Sequence, residues 1–301
     1  MPGGLHGIGR HQGQSMSNAR GSVLMVASMA GFAVEDMFIK SAAKALPVGQ
    51  ILMIFGLGGM LAFIALTRRR GERVFHPAIL SRPILIKALA EVAGRLGYTL
   101  AIALTPLSNA SAILQATPLL VVAGAAVFFR ENVGWRRWSA IGFGFLGVLI
   151  ILRPGAAGFE LASLFAVLGM AGFAGRDLAT RAAPTVLSNM QLGIYGFFML
   201  IPTGAVMLAW TGGAAVPALA EGVDLAAATL FGVLAYWGLT AAMRMGDVSV
   251  ITPFRYTRLV FALALGVLVF GERPDAMMLL GSAIIIGSGI YTLLRSRKKR
   301  G

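Results

Sequence analysis

The chain has 301 residues, 57% of them hydrophobic and only 13% charged, with a net charge of +14 and no cysteine. A soluble domain carries roughly a quarter of its residues as charge, so lipid is the solvent this sequence suits. Disulfides, thiolate metal sites and thiol nucleophiles are excluded, and the positive charge does not indicate nucleic acid, because it sits in short loops and at the C-terminus.

In chain order, residues 1–20 are polar and Gly/Ser-rich and are expected to form a disordered tail. Apolar runs of about twenty residues follow, the length that crosses a hydrocarbon core. They lie near 21–43, 48–67, 84–104, 107–129, 137–153, 161–181, 189–210, 225–244, 248–270 and 276–294. Backbone polar groups in lipid must be satisfied within their own segment, so these runs are helices. The first is read as a retained span, since no small-residue cleavage pattern follows it. Residues 296–301 form a short basic tail.

Lys and Arg set the orientation. With the N-terminus in the cytoplasm, eighteen fall on the inner side, among them Arg68, Arg69, Arg70, Arg73, Arg136, Arg137 and the C-terminal Arg295–Arg300 group. Only Lys40, Lys44, Arg153 and Arg273 fall outside, a bias that places both termini inside.

The chain repeats itself at an offset of 141 residues. Met29-Ala30-Gly31-Phe32-Ala33 recurs as Met170-Ala171-Gly172-Phe173-Ala174. At the same offset Asp36 meets Asp177, Lys40 meets Arg181, Gln50 meets Gln191, Ser111 meets Thr252, and Phe129-Arg130-Glu131 meets Phe270-Gly271-Glu272. Five spans per repeat is an odd number, so the second repeat is expected upside down. The expected fold is all-α, a polytopic membrane protein of ten transmembrane helices in two inverted five-helix repeats, 21–155 and 161–295. Such halves can exchange inward- and outward-open shapes around a central site.

The Phe-Arg-Glu and Phe-Gly-Glu turns each precede a Gly-rich span, with Gly142, Gly144 and Gly147 in one and Gly281, Gly287 and Gly289 in the other. With the five-plus-five repeat, these features resemble the drug/metabolite transporter superfamily, EamA type. Arg130 in the place of Gly271 departs from the repeat at the turn. The resemblance implies a multi-pass protein of a bacterial cytoplasmic membrane, with a cavity lined by helices 1, 3, 4, 6, 8 and 9; family members include amino-acid exporters.

Ionisable groups at membrane depth are costly and are functional candidates by default. On the third span Lys87, Glu91 and Arg95 share one face with Tyr98 beside them. Lys87 is expected to snorkel to the headgroups. Glu91 and Arg95 read equally as a mutual i,i+4 pair or as binding groups. On the ninth span lie Arg255, Tyr256 and Arg258, with Arg258 opposite Thr117 and Pro118 by the repeat register and expected in a cavity. Glu35 and Arg176, at equivalent positions, are not favoured as site residues on their own. Asp36 with Lys40 and Asp177 with Arg181 read as structural i,i+4 pairs. Ser111 and Gln115 on the fourth span, and Tyr236 and Trp237 on the eighth, complete the candidate set. Pro118 and Pro253 are expected to free backbone carbonyls for ligands or bending.

No catalytic constellation, metal site or cofactor motif is present, and the three histidines lie outside the spans. The expected function is a secondary exporter of small amphoteric metabolites, with amino acids, including aromatic ones, as the expected class. Arg258 or Arg95 would hold the carboxylate, Glu91 the amine, and Tyr98, Tyr236, Trp237 and Tyr256 the side chain. An organic-anion, sugar-phosphate or nucleotide-type carrier is the alternative, favoured by Arg255 and Arg258. The expected partners are the small-molecule substrate and membrane lipid, with the chain a monomer or weak homodimer. A lipid-modifying enzyme lacks its catalytic groups, and a scaffold or scramblase would not need charges converging on one cavity.

Overall fold

A computed structural model describes residues 5–130, 133–154, 160–184, 186–245 and 251–297, and all regular structure among them is helical. The helices are α1 (Leu5–Ala42), α2 (Val48–Arg69), α3 (Arg82–Leu104), α4 (Leu107–Leu114), α5 (Thr117–Phe128), α6 (Trp135–Leu152), α7 (Leu164–Arg181), α8 (Asn189–Thr211), α9 (Leu219–Met245), α10 (Thr257–Phe270) and α11 (Ala276–Arg297). α4 and α5 are two halves of one apolar stretch, Leu107–Phe128. A 3-10 turn, Thr252–Tyr256, leads into α10. Six helical stretches are long and apolar enough to cross a membrane, including Val48–Arg69 and Asn189–Thr211. The chain is a polytopic helical membrane protein.

α1 begins at Leu5 and not near residue 21. A formed span is a nucleus from which a helix extends at little further cost, and composition alone does not register that continuation. The turn residue Glu131 and the side chains of Arg137, Arg181, Arg244, Thr252 and Pro253 lie outside the described residues.

The break between α4 and α5 has a local cause. Pro118 cannot donate to the carbonyl of Leu114, four residues back. The hydroxyl of Thr117 donates to that oxygen instead, at 2.6 Å. The carbonyl expected to be free for a ligand is therefore occupied within the helix.

The main packing partners are α3 with α7, α1 with α9, α2 with α8, and α6 with α11. Lipid tails are as apolar as leucine, so helices in membranes associate by close approach at small residues. A Cβ added to Gly97 would stand 2.8 Å from the Gly169 nitrogen and 2.9 Å from the Phe165 carbonyl. At the offset of 141, Gly238 sits against Ser28 and Leu24 of α1. Gly94 and Gly172 touch likewise, and their equivalents Ala235 and Gly31 leave 3.1 Å for a Cβ. The seam between α3 and α7 is thus built a second time between α9 and α1, with the contributing repeats exchanged.

The repeated glutamines follow the same exchange. Gln50 pairs with the backbone of Ala215, donating at 2.6 Å and accepting at 3.1 Å. Gln191 donates to the Arg73 carbonyl at 2.6 Å while closing the capping box of α8 with Ser188. Each glutamine fastens a loop of the other repeat.

The departure at the turn is also visible in the backbone. Gly271 takes φ 65° and Arg130 takes φ 52°, both left-handed. Glycine adopts this conformation freely, whereas a residue with a Cβ loses about 1–2 kcal/mol there. Beyond the spans, Asp275 accepts from Arg153 and from the Met278 amide at the start of α11. These donors hold its carboxyl below the usual range, with the Arg153 bond the largest cause.

Four outcomes follow. Gly97→Ala destabilises by about 1–3 kcal/mol through overpacking and lowers the detergent-solubilised Tm. Gly142→Ala, whose added Cβ meets nothing within 4 Å, leaves Tm unchanged or slightly higher. Arg130→Gly raises Tm by relieving the left-handed strain. For Asp275 the depressed pKa means that its contribution is present above the unfolded carboxyl value and is lost as pH falls through the folded one. The Tm difference between wild type and Asp275→Asn at neutral pH therefore vanishes in acid.

Candidate functional site

Ionisable side chains from α1, α3, α7 and the start of α10 converge inside the bundle. α1 supplies Glu35 and Asp36, both with no exposed surface. Two adjacent carboxylates cannot stay charged in such surroundings without cations, and each has one. Arg95 of α3 donates to Glu35 at 2.5 Å. Arg258 of α10 donates twice to Asp36 Oδ2, at 2.6 and 3.2 Å. Tyr98 also reaches Asp36, at 3.1 Å, and its hydroxyl lies 3.0 Å from Ser111.

Several expected pairs are replaced. Lys40 does not bind Asp36, because Arg258 occupies that carboxylate. Lys40 instead donates to the Ile102 and Thr105 carbonyls at the end of α3, at 3.0 and 2.6 Å. It lies 3.8 Å from Glu272, whose carboxylate accepts from the first two amides of α4, Leu107 and Ser108. Nor do Glu91 and Arg95 pair with each other. Glu91 meets Lys87 at 3.3 Å and Arg176 at 3.5 Å. Lys87 is buried and also donates to the Leu192 carbonyl at 3.5 Å, so it does not snorkel. Asp177 meets Arg176 at 2.8 Å and Arg255 at 3.7 Å; its expected partner Arg181 has a side chain outside the described residues.

Some of these groups border a cavity of about 90 Å³, small beside the several hundred Å³ of a ligand-filled pocket. Glu91, Arg95, Arg176, Arg255 and Arg258 line it with Gln115 and Thr117, and its apolar walls include Phe32, Phe173, Phe197 and Tyr236. Among the sequence candidates, Glu91, Arg95, Gln115, Tyr236, Arg255 and Arg258 meet there. Tyr98 and Ser111 stand behind them as supports of Asp36. Trp237 is 41% exposed and does not border the cavity. Tyr256 is buried with its hydroxyl against Gly289.

Phe32 and Phe173 were not singled out from sequence as site residues, and Arg176 was weighed and not favoured, although a signal existed. Phe32 and Phe173 are the same position of the repeated Met-Ala-Gly-Phe-Ala block. Each carries a guanidinium over its ring, Arg258 at 5.0 Å from Phe32 and Arg176 at 4.7 Å from Phe173. A cation over an aromatic face gains about 0.5–2 kcal/mol depending on desolvation.

Removing one partner of a buried pair leaves the other charge uncompensated, at about 3–5 kcal/mol. Asp36→Asn should therefore unfold at markedly lower denaturant than wild type. Asp36→Leu combined with Arg258→Met should recover most of that loss, because both charges leave together.

Comparison with known proteins finds transporters. A riboflavin transporter of Rhizobium johnstonii is 29% identical over 219 residues, covering 72% of this chain and 71% of that protein. An S-adenosylmethionine uptake transporter of Rickettsia bellii is 28% identical, covering 72% and 75%. The pseudopaline exporter of Pseudomonas aeruginosa is 25% identical over 284 residues, covering 93% of this chain and 97% of its own. The EamA-like transporter family matches twice, over residues 19–153 and 160–294, the two halves that the offset of 141 relates. The chain belongs to the EamA-like transporter family and is a transporter, not an enzyme.

Proposed function

We propose that the protein is a secondary carrier of small amphoteric metabolites, with amino acids, including aromatic ones, as the first class to test. One observation carries this reading: groups of both charge signs and several aromatic rings border one cavity inside an otherwise apolar bundle. Such a lining suits a cargo with a carboxylate, an amine and an apolar portion. Riboflavin, S-adenosylmethionine and pseudopaline are the cargoes in the relatives' names, so the relatives support transport of polar metabolites without selecting one.

Alternating access is the proposed mechanism, with the two repeats inserted in opposite senses and both termini cytoplasmic. The exchanged seams at Gly97 and Gly238 support this, as does the Lys and Arg bias of the loops. In this reading Lys40, Glu272 and the first turn of α4 form a latch at the outer end, which must part when the cavity opens outward.

The protein in proteoliposomes loaded with unlabelled amino acids should accumulate labelled ones by counterflow, whichever way it works in the cell. Arg255→Gln should cut that flux by tenfold or more, by the loss of about one charge-assisted hydrogen bond. Flux no higher than in empty vesicles, for every amino acid tried, contradicts the amino-acid reading. A cysteine appended at either terminus should react with an impermeant thiol reagent only from the cytoplasmic face.

A further inference from the structure

The four cavity arginines are held in two different ways. Arg95 and Arg258 each belong to a close pair with a carboxylate that has no exposed surface, and neither carboxylate can turn away without leaving a bare charge in the bundle. Behind the wall a single carboxylate, Asp177, which does not itself line the cavity, accepts two hydrogen bonds from Arg176 at 3.0 and 2.8 Å and also faces Arg255. Its side chain is 24% exposed, and Arg255 stands 3.7 Å away, beyond hydrogen-bond reach. Arg176 lies also at 3.5 Å from Glu91, which Lys87 already engages at 3.3 Å. Among the described side chains of the cluster, the five cations Lys87, Arg95, Arg176, Arg255 and Arg258 face the four anions Glu35, Asp36, Glu91 and Asp177. One positive charge is left over, and Arg255 is the described cation of the cluster with no described carboxylate within hydrogen-bond reach. Gln115 borders the same cavity at 6% exposure, and its amide nitrogen has no partner among the described residues.

We infer that Arg255, with Arg176 beside it, is the anion subsite of the cavity, that the cargo must carry an oxyanion (a carboxylate or a phosphate), and that Asp177 is the placeholder the cargo displaces. The inference rests on the carrier reading for its purpose, but the subsite stands or falls by binding alone. Exchange of one oxyanion for another keeps the charge of the cluster nearly constant, so loading exposes no uncompensated guanidinium to the bundle. The carboxylates of Glu35 and Asp36 stay in place throughout, so Arg95 and Arg258 position the wall and do not seize the cargo. A purely cationic or neutral molecule leaves Asp177 where it is and finds no site.

The test uses the full chain in lipid nanodiscs and four probes: L-phenylalanine, its amide, 3-phenylpropionate and inorganic phosphate. Binding is read by thermal shift and equilibrium dialysis, and counterflow is run in parallel. At least one oxyanion should bind to wild type, and the amide should not. Asp177→Asn should tighten oxyanion binding by about tenfold, since the competitor is gone, whereas a merely structural counter-ion would weaken it on removal. Arg255→Gln should weaken binding by about tenfold or more with little change in the apo Tm, and Arg255→Lys should restore part of it. If Asp177→Asn does not fold, the two Arg255 variants decide. An amide that binds as well as the acid, no binding of any of the three oxyanions, or wild-type affinity in Arg255→Gln overturns the inference. Oxyanion binding without flux leaves the subsite and removes the carrier reading; flux without oxyanion binding does the reverse.

Discussion

The arrangement depends on two carboxylates that α1 carries into the bundle with no exposed surface. Glu35 and Asp36 are adjacent, and side chains at successive helix positions point in different directions, which sends one towards α3 and the other towards α10. Arg95 and Arg258 answer them. The cost of an unpaired charge among apolar groups makes each match obligatory. Apolar burial alone specifies little here, because the surrounding lipid competes with every leucine on equal terms. The two ion pairs decide which helices meet α1 at this depth, and the glycine seams decide how closely they approach.

From that anchor the path to a cavity is short. α4 stops at Leu114 and α5 restarts at Thr117, with the hydroxyl of Thr117 closing the gap left by Pro118. Arg258 follows directly on a 3-10 turn at the equivalent place in the second repeat. Both spans are irregular at equivalent places of the repeat, and polar backbone inside a membrane is tolerated where it borders protein or a cavity. The repeats are not electrically alike at this point. The first offers Glu35 where the second offers Arg176, and Arg95 where the second offers Tyr236. A symmetric scaffold therefore carries an asymmetric lining, and discrimination among cargoes can change by substitution while the seams stay as they are.

Sequence reasoning reached some of this and missed the rest for a physical reason. Span positions come from apolar runs of fixed length, and the offset of 141 relates the two halves that the family matches and pairs Gln50 with Gln191, whose contacts the structure adds. Pair partners were a different matter. The i,i+4 rule joins Asp36 to Lys40 and Glu91 to Arg95, although Lys87 offers Glu91 the same spacing on its own helix and is one of the partners it takes. Inside a bundle, cations from other helices compete for the same carboxylates, and Lys40 finds the open end of α3 within its reach. Phe32 was visible as part of a repeated block, but its role under Arg258 depends on the helix opposite. Tyr256 shows the converse, a polar aromatic on a suspected face that proves to fill the notch at Gly289.

The chain has no cysteine, so a single one placed in the cavity reports its access to water without any background. Leu239→Cys lies on the cavity wall beside Tyr236 and removes no charge. In oriented proteoliposomes, an impermeant thiol reagent should modify it from each face in turn as the carrier cycles, and a saturating cargo should slow the reaction. A residue that stays unreactive from both faces, in protein shown to be folded, would mean that the interior is solid and the charged cluster purely structural.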